Sequence, residues 1–318
     1  MKQDVVVNHD FRNWLHTVLL LGSMLLLLAL LGWLVGGQTG IIWAIVLGGV
    51  LVLFGQQVSP QLVLRMYRAR PLTAAEAPAL YQVMEELTRR AQLPFVPVLY
   101  YVPSRMMNAF AVGTRRNAAI GLTDGILRGL NLRELTGVLA HEMSHIRNND
   151  MRSMNIADVI SRITNLFSTF GKFLLLLNLP LILMGSAMIS WWAILLLIFA
   201  PFISGLLQLA LSRTREFDAD LDAIQLTHDP VGLMNALQKL EYYSTNIWQQ
   251  VLFPGRGVPD PSIFRTHPHT KDRIARLQEL NPQQYQPIAM TQQAPFVLPG
   301  NYTQIRRQPG WRMMNLWY

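Results

Sequence analysis

The chain has 318 residues, of which 51% are hydrophobic and 14% charged, and its 27 Lys and Arg outnumber its 19 Asp and Glu to give a net charge of +8. Residues 13 to 64 and 173 to 212 contain no charged side chain at all. A bilayer core about 30 Å thick requires roughly 20 apolar residues per helix, so this distribution excludes an ordinary soluble protein. The absence of cysteine excludes disulfides, thiol nucleophiles and cysteine-bound metals.

The excess positive charge is expected to face lipid. Residues 65 to 116 follow the first uncharged stretch and hold eight basic residues against three acidic ones. Attraction to anionic lipid headgroups accounts for such a segment, and no nucleic-acid-binding motif accompanies it. We therefore expect a lipid bilayer as a partner and no nucleic acid.

The two uncharged stretches predict four transmembrane helices, at about residues 15–35, 41–58, 166–188 and 191–211. A cleaved signal peptide is disfavoured for the first helix because a second apolar segment follows almost at once. The alternative for residues 173 to 212 is a long helical hairpin buried in protein, because 40 residues are near the lower limit for two spans.

Lys and Arg counts predict the orientation of these helices. The short connections at residues 36–40 and 189–190 contain neither residue type, and all 27 basic residues fall on the other side. Basic residues concentrate in cytoplasmic loops. We therefore expect a multi-pass protein whose N- and C-termini and soluble part lie in the cytoplasm.

The intervening segments have the pattern of a small globular domain. Thr73 and Glu76 form a predicted capping box for a helix to about Gln92, whose first regular turn is delayed by Pro78. Asn131 is the predicted N-cap of the helix that follows the sheet. Strands are predicted at 98–102, 108–112 and 118–122, and helices at 212–227, 231–243 and 272–280.

The predicted organisation therefore has five parts. The fold class is a mostly α integral membrane protein with four transmembrane helices and an α+β cytoplasmic domain with a small sheet. The parts are two transmembrane helices (13–64), the first part of the cytoplasmic domain (65–165), a transmembrane hairpin (166–212), the second part of the cytoplasmic domain (213–280) and an extended Gln- and Pro-rich basic tail (281–318).

One short motif carries chemistry. His141, Glu142 and His145 lie in the sequence HEMSH within the predicted helix. Positions i and i+4 are neighbours on one helix face, so both imidazoles can bind one Zn²⁺ ion while Glu142 takes a proton from a zinc-activated water. This predicts one zinc ion per chain and Glu142 as the catalytic base.

A catalytic zinc site needs a third protein ligand and one open position. The first acidic cluster after the hairpin is EFDAD, in which Glu216 and Asp220 share a helix face. Glu216 is the candidate ligand, and Asp220 the candidate acceptor for the free ring N–H of a ligand histidine. Asp218 and Asp220 are alternative ligands, and Glu216 could instead pair with Arg213 or Arg215 on a solvated helix.

Several segments together resemble a known family. VLAHEMSHIRNND, RTREFDAD after a membrane hairpin, MNAFAVG and the late THPHTKDRIARL are similar to the HtpX-type membrane zinc metalloproteases, relatives of the CAAX prenyl proteases. The resemblance covers about residues 15 to 280. It implies a zincin-type catalytic domain, zinc ligands at His141, His145 and Glu216, and Glu142 as general base.

The same resemblance implies further site residues. Asn108, Ala109 and Phe110 match the family's strand beside the active-site cleft, where a substrate can add as an extra strand; an ordinary core strand is the alternative. His267 and Arg273 match positions that could stabilise the oxyanion; the alternative for His267, which precedes Pro268, is a helix-entry residue.

The function expected from these observations is zinc-dependent endoproteolysis of membrane or misfolded proteins at the cytoplasmic face of the cell inner membrane. The resemblance implies a role in envelope protein quality control and the stress response. A non-proteolytic membrane scaffold with a structural zinc, a CAAX-type processing protease and a zinc transporter are the alternatives. The sequence does not specify the oligomeric state.

Overall fold

The computed structural model describes residues 3–55, 60–183, 190–251 and 270–279. The helices in these residues are α1 (Gln3–Gly55), α2 (Pro60–Met66), α3 (Pro78–Ala91), α4 (Asp124–Gly129), α5 (Leu132–Asn148), α6 (Asp150–Leu183), α7 (Trp191–Thr227), α8 (Pro230–Val251) and α9 (Thr270–Glu279). The strands are β1 (Arg70–Pro71), β2 (Val98–Val102), β3 (Ala109–Thr114) and β4 (Asn117–Thr123). The predicted tail at 281–318 and His267 lie outside the described residues.

These elements form two compact units. One contains α1, α6 and α7 as far as Arg215; the other contains α2 to α5, the sheet, α7 from Glu216 onward, α8 and α9. The first unit is a helical bundle. The second is the α+β unit that carries the histidine motif.

Helix α1 reverses direction at two glycines. Gly36 and Gly37 have non-helical backbone angles, and Gly37 has φ 56° and ψ −140°, a combination that is essentially restricted to glycine. A Cβ added to Gly32 would lie 2.6 Å from the carbonyl oxygen of Gly40, although residues eight apart in a straight helix are about 12 Å apart. The two halves of α1 therefore fold back on each other as a helical hairpin.

The bundle is held by apolar packing and by hydroxyl groups. Met24, Leu28 and Ala44 of α1 belong to the same buried cluster as Ala157, Ile160 and Ile163 of α6. Between α6 and α7, the Ser161 and Ser204 hydroxyls lie 3.0 Å apart, and Ser168 donates to the Ile198 carbonyl at 3.0 Å. Interhelical hydroxyl bonds of this kind stabilise helix pairs in an apolar environment.

In the part of the chain that the structure describes, two helical segments are long and apolar enough to cross a membrane, Trp14–Val50 and Trp191–Thr227. Only 22% and 28% of their most apolar windows are buried. The prediction of a mostly helical membrane protein with a small sheet is confirmed. Four separate spans are not established, because the first segment contains both halves of the α1 hairpin and the third predicted span, 166–188, lies partly outside the described residues. The helix that contains the start of this span, α6, begins at Asp150 rather than at residue 166.

The α+β unit contains a four-stranded mixed sheet with the order β1-β2-β4-β3. β2 is parallel to β4, whereas β1 and β3 are antiparallel to their neighbours and form the two edges. The three predicted strands are confirmed to within a few residues. The sequence analysis missed β1, which is only two residues long, and the short helices α2 and α4.

Both faces of the sheet are covered. On one face, Leu64 of α2 packs in a buried cluster with Val102, Phe110 and Ala119. On the other face, Leu99 and Ile120 are completely buried. Residues two apart on a strand share a face, so even-numbered residues of β2 and β3 point toward α2.

The predicted capping signals are present. The Asn131 side chain accepts from the Glu134 N–H at 2.9 Å, and the Glu134 carboxylate accepts from the Asn131 N–H at 2.9 Å, which fixes the start of α5. Thr73 and Glu76 form the same reciprocal pair, but α3 begins at Pro78, as the proline predicts.

Helix α8 supports α5 at close range. A Cβ on Gly137 of α5 would lie 2.9 Å from both the Cα and the nitrogen of Leu233. Asp229 caps α8 by accepting from the Gly232 N–H at 3.1 Å, and it also binds Arg133 of α5 at 2.7 Å. Because Gly137 precedes His141 by four residues, this contact lies on the same face of α5, one helical turn before the histidine motif.

We predict that Gly137→Ala separates α8 from α5, because backbone atoms of Leu233 occupy the position of the new methyl group. Overpacking of this kind costs about 1–3 kcal/mol of unfolding free energy. The thermal unfolding midpoint in detergent measures it. Gly205→Ala is the matched control, because nothing lies within 4 Å of a Cβ at Gly205; equal midpoints for the two variants would contradict the prediction.

Candidate active site

Helix α5 places its two histidines on one face with their rings in contact. The His141 and His145 rings are nearly perpendicular, with centroids 4.7 Å apart. Their Nε2 atoms lie 3.2 Å apart. Two neutral imidazoles do not attract each other through two lone pairs, so this approach is favourable when a proton or a metal ion lies between the nitrogens.

Glu216 reaches the same point from α7. Its Oε2 lies 3.4 Å from His141 Nε2, and its Oε1 lies 3.6 Å from His145 Nε2. The Glu216 side chain is buried. Arg215, proposed above as an alternative partner, instead binds Asp150 at 3.1 Å, and Glu216 does not lie on a solvated helix face.

The three side chains fit a tetrahedral zinc ion. Donors bound at about 2.1 Å to a tetrahedral Zn²⁺ lie about 3.4 Å from one another, and the separations here are 3.2, 3.4 and 3.6 Å. Two imidazole nitrogens and one carboxylate are also the donor types of catalytic zinc sites, which keep a fourth position open. A metal ion would therefore be held by His141, His145 and Glu216.

The other two acids of the EFDAD cluster are placed differently. Asp220 Oδ1 lies 3.0 Å from His141 Nδ1, the ring nitrogen on the far side from Nε2. Asp218 is two residues along α7 from Glu216, so it projects about 200° away around the helix. Glu216 is thus the acid beside the Nε2 atoms of both histidines, and Asp220 is the acid beside Nδ1 of His141.

Arg273 of α9 contacts the carboxylates of both Asp220 and Glu216. Its guanidinium makes a bidentate contact with the Asp220 carboxylate, at 2.7 and 2.6 Å. Its Nη1 also lies 3.2 Å from Glu216 Oε2, and the side chain is buried. Because these carboxylates bind the guanidinium, the arrangement favours a role in positioning the ligands over the oxyanion role inferred from the sequence.

The electrostatics of the cluster favour a positive charge at His141. Burial and the Arg273 guanidinium lower the pKa of His141, but Asp220 and Glu216 more than offset both and raise that pKa to about 10. Burial raises the pKa of Asp220, but the charge of Arg273 and its hydrogen bonds hold that pKa below its usual value. The Asp220 carboxylate is therefore ionised and can accept from His141.

Glu142 contacts the edge of the sheet. Its Oε2 accepts a hydrogen bond from the Ala111 N–H at 2.8 Å. Ala111 lies on β3, the edge strand, and its N–H points away from β4. The carboxylate is half-buried beside the histidines, and its orientation is fixed by the backbone of the strand.

The three predicted substrate-binding residues differ in what they present. The Thr123 N–H and hydroxyl both donate to the Asn108 carbonyl, so the main chain at Asn108 faces β4. Main-chain groups alternate in direction along an edge strand, so those of Ala109 and Ala111 point outward and those of Phe110 point toward β4. The Phe110 side chain is buried and its ring packs against Tyr67, with centroids 5.2 Å apart. Phe110 is therefore a core residue, and Ala109 alone of the three has its main chain directed outward.

The sequence analysis missed a second link between α5 and α7. Asp222 is buried and its Oδ2 accepts from the Ser144 hydroxyl and from the Asn148 amide, both at 2.7 Å. Its Oδ1 lies 2.7 Å from Arg147. Ser144 lies inside the histidine motif, so this cluster sets the position of the motif relative to Glu216. Their spacing along the chain offered no signal for it.

Comparisons with known proteins agree with this arrangement. Residues 74–281 match the model of Peptidase family M48. A "Protease HtpX homolog" of Pseudarthrobacter chlorophenolicus is 36% identical over 296 residues, which are 86% of this chain and 98% of that protein. Proteins of the same name from Paraburkholderia phytofirmans and Campylobacter hominis are 34% and 35% identical over 285 and 282 residues, covering 84% of this chain and 97% and 98% of those proteins.

Among solved structures, the fold is similar to that of S. mikatae Ste24p, with a TM-score of 0.50 at 21% identity. That match covers 84% of this chain and 65% of the Ste24p chain. The likeness to the HtpX homologues extends over nearly their whole length. The chain belongs to peptidase family M48 and is a membrane metalloprotease.

Proposed function

We propose that the chain is a zinc-dependent endopeptidase whose zinc ligands are His141, His145 and Glu216 and whose catalytic base is Glu142. The single observation that carries this proposal is the set of three ligand-atom separations, 3.2, 3.4 and 3.6 Å. A zinc ion bound there would acidify a water molecule and polarise the carbonyl of a peptide bond.

The chain's own residues then move the proton. Glu142 accepts it from the attacking water and delivers it to the nitrogen of the leaving amine, which is general base followed by general acid catalysis. Since Ala111 N–H binds Oε2, the carboxylate is held in one orientation and Oε1 is the oxygen that receives the proton. The edge strand is in this way part of the catalytic geometry.

Asp220 and Arg273 orient the first ligand. When Nε2 of His141 faces the metal, its Nδ1–H donates to Asp220 at 3.0 Å, which fixes the tautomer and the ring plane. Arg273 holds both oxygens of Asp220 and also contacts Glu216. One buried guanidinium thus supports two of the three proposed ligands.

The proposed substrate site is the outer edge of β3. Ala109 and Gly113 share the outward register with Ala111, and no strand lies beyond β3 in the described sheet. An extended polypeptide can pair with such an edge through main-chain hydrogen bonds, with little dependence on its sequence. This is suited to membrane or misfolded proteins, which would be cleaved in the course of envelope protein quality control.

We further propose four transmembrane helices in the cell inner membrane, with both termini and the active site in the cytoplasm. The two halves of α1 supply two of them, α6 and the apolar part of α7 the others. The short turn at Gly36 and Gly37 supports a reversal of the chain between the first and second spans, at one side of the membrane. The distribution of Lys and Arg supports the orientation.

Glu142→Gln is expected to abolish hydrolysis and to leave zinc content near one per chain, because the amide cannot take a proton and Glu142 is not a ligand. Cleavage of an unfolded protein substrate, alongside metal analysis of the purified protein, measures both. Glu85→Gln on exposed α3 is the control and should behave as wild type. Wild-type cleavage by Glu142→Gln would refute the mechanism. If the wild-type protein showed no chelator-sensitive cleavage, it would be a scaffold with structural zinc.

Glu216→Gln is expected to lower zinc affinity by at least tenfold, because a neutral amide replaces the anionic ligand. Asp218→Asn is the control from the same helix, since Asp218 is about 200° around α7 from Glu216. Competition with a chelator of known affinity gives the ratio between the variants. Unchanged affinity in Glu216→Gln together with zinc loss in Asp218→Asn would transfer the ligand role to Asp218.

The absence of cysteine allows a direct test of the topology. Single cysteines at Gln38→Cys and Ser190→Cys are expected to react with a membrane-impermeant maleimide in intact cells, whereas Glu85→Cys reacts only after lysis. Labelling at residue 85 alone in intact cells would reverse the orientation. Protection of residue 190 with labelling of residue 38 would show that α6 and α7 do not cross.

A further inference from the structure

An exposed apolar segment lies at the start of β2 in the α+β unit. Phe95, Val96 and Val98 are 64%, 38% and 45% exposed, although each is large enough to contribute to a core. They are adjacent in the chain, with Pro97 buried between them. Contiguous apolar exposure of this kind marks a surface that contacts a partner or a membrane.

Two exposed arginines lie at the same end of the sheet. β2 is parallel to β4 with Val98 opposite Ala119, so the residues that precede each strand are neighbours. Those preceding β4 form the β3–β4 turn, in which Arg115 and Arg116 are exposed. The apolar segment and the basic turn therefore make up one surface.

Helix α2 extends this surface. Val98 is even-numbered like Val102, which packs against Leu64 of α2, so Val98 projects from the α2 side of the sheet. The outer side of α2 exposes Leu62 and Met66, at 53% and 75%, together with Arg65. In the chain, α2 begins five residues after the end of α1, the apolar hairpin.

We propose that this surface, made of Leu62, Met66, Phe95, Val96, Val98, Arg115 and Arg116, rests on the anionic headgroups of the bilayer that holds the apolar helices, with Phe95 inserted at the interface. Aromatic side chains concentrate at membrane–water interfaces, and basic side chains beside a span are attracted to anionic lipids. The exposed apolar side chains are complementary to the membrane–water interface, and the exposed cationic side chains are complementary to the anionic headgroups.

The proposal has a consequence for proteolysis that rests on the proposed function. β3 ends at the basic turn, so a substrate strand paired with the β3 edge would have one end at the headgroups. Cleavage would then favour segments close to the membrane. The membrane contact itself does not depend on proteolytic activity, so it can be tested separately.

The test uses the full chain in lipid nanodiscs with a single cysteine carrying an environment-sensitive fluorophore. Phe95→Cys is the probe and Glu85→Cys on the exposed face of α3 is the control. In discs of phosphatidylglycerol and phosphatidylcholine that contain acyl chains with a spin-label quencher, we expect quenching at residue 95 to be at least twofold greater than at residue 85. Adding Arg115→Glu and Arg116→Glu should lower it toward the control value, as should phosphatidylcholine alone.

Three outcomes would overturn the proposal. Equal quenching at the two positions would mean that the surface faces water. Quenching that is unaffected by lipid charge and by both arginine substitutions would exclude headgroup recognition. Shielding of the label that follows protein concentration and not the lipid quencher would assign the surface to a protein partner. Val96→Cys repeats the measurement if the Phe95 variant loses its native circular dichroism spectrum.

Discussion

The arrangement of the site depends on the burial of opposite charges next to one another. Glu216 and Asp220 lie in the interior of the α+β unit, where an unpaired carboxylate is costly. Arg273 contacts both carboxylates, and the rings of His141 and His145 also lie next to them. Removing one partner of such a cluster leaves an uncompensated charge, so each member constrains the others. The same group of charges that is expensive to bury therefore defines one point in space at which a cation is favourable.

Two helices bring these charges together. α5 begins at the Asn131–Glu134 capping box and packs against α8 one turn before His141, where Gly137 permits close contact with Leu233. α7 is one continuous helix whose first part is apolar and whose last part carries the buried acids. The Asp222 cluster ties α7 to α5 next to the histidines, independently of any metal. The geometry of the three proposed ligands is thus set by contacts between protein groups.

The sheet contributes in a different way. Its edge strand β3 is joined to the rest of the sheet on one side and to Glu142 on the other, through the Ala111 N–H. We propose Glu142 as the general base. Such a base must keep its orientation while it gains and loses a proton, and a main-chain donor is more rigid than a side chain. An edge that also offers unpaired main-chain groups is suited to binding an extended polypeptide. The exposed end of the same sheet, at Phe95 and Arg115, is where we place the membrane surface.

The amino-acid sequence determined those features that depend on local spacing. The absence of charge over two long stretches indicated membrane helices, alternation and turn residues located three strands, and the histidine motif fixed two neighbouring imidazoles, because a helix places residues i and i+4 on one face. The tertiary structure decided everything that depends on contacts between distant segments. It separated Glu216 from Asp218 and Asp220 as the side chain nearest both Nε2 atoms, bound Arg273 to Asp220, placed Phe110 in the core, and brought Ala111 to Glu142. Chain spacing carries no information about such pairs, since their separation is set by how helices and strands pack.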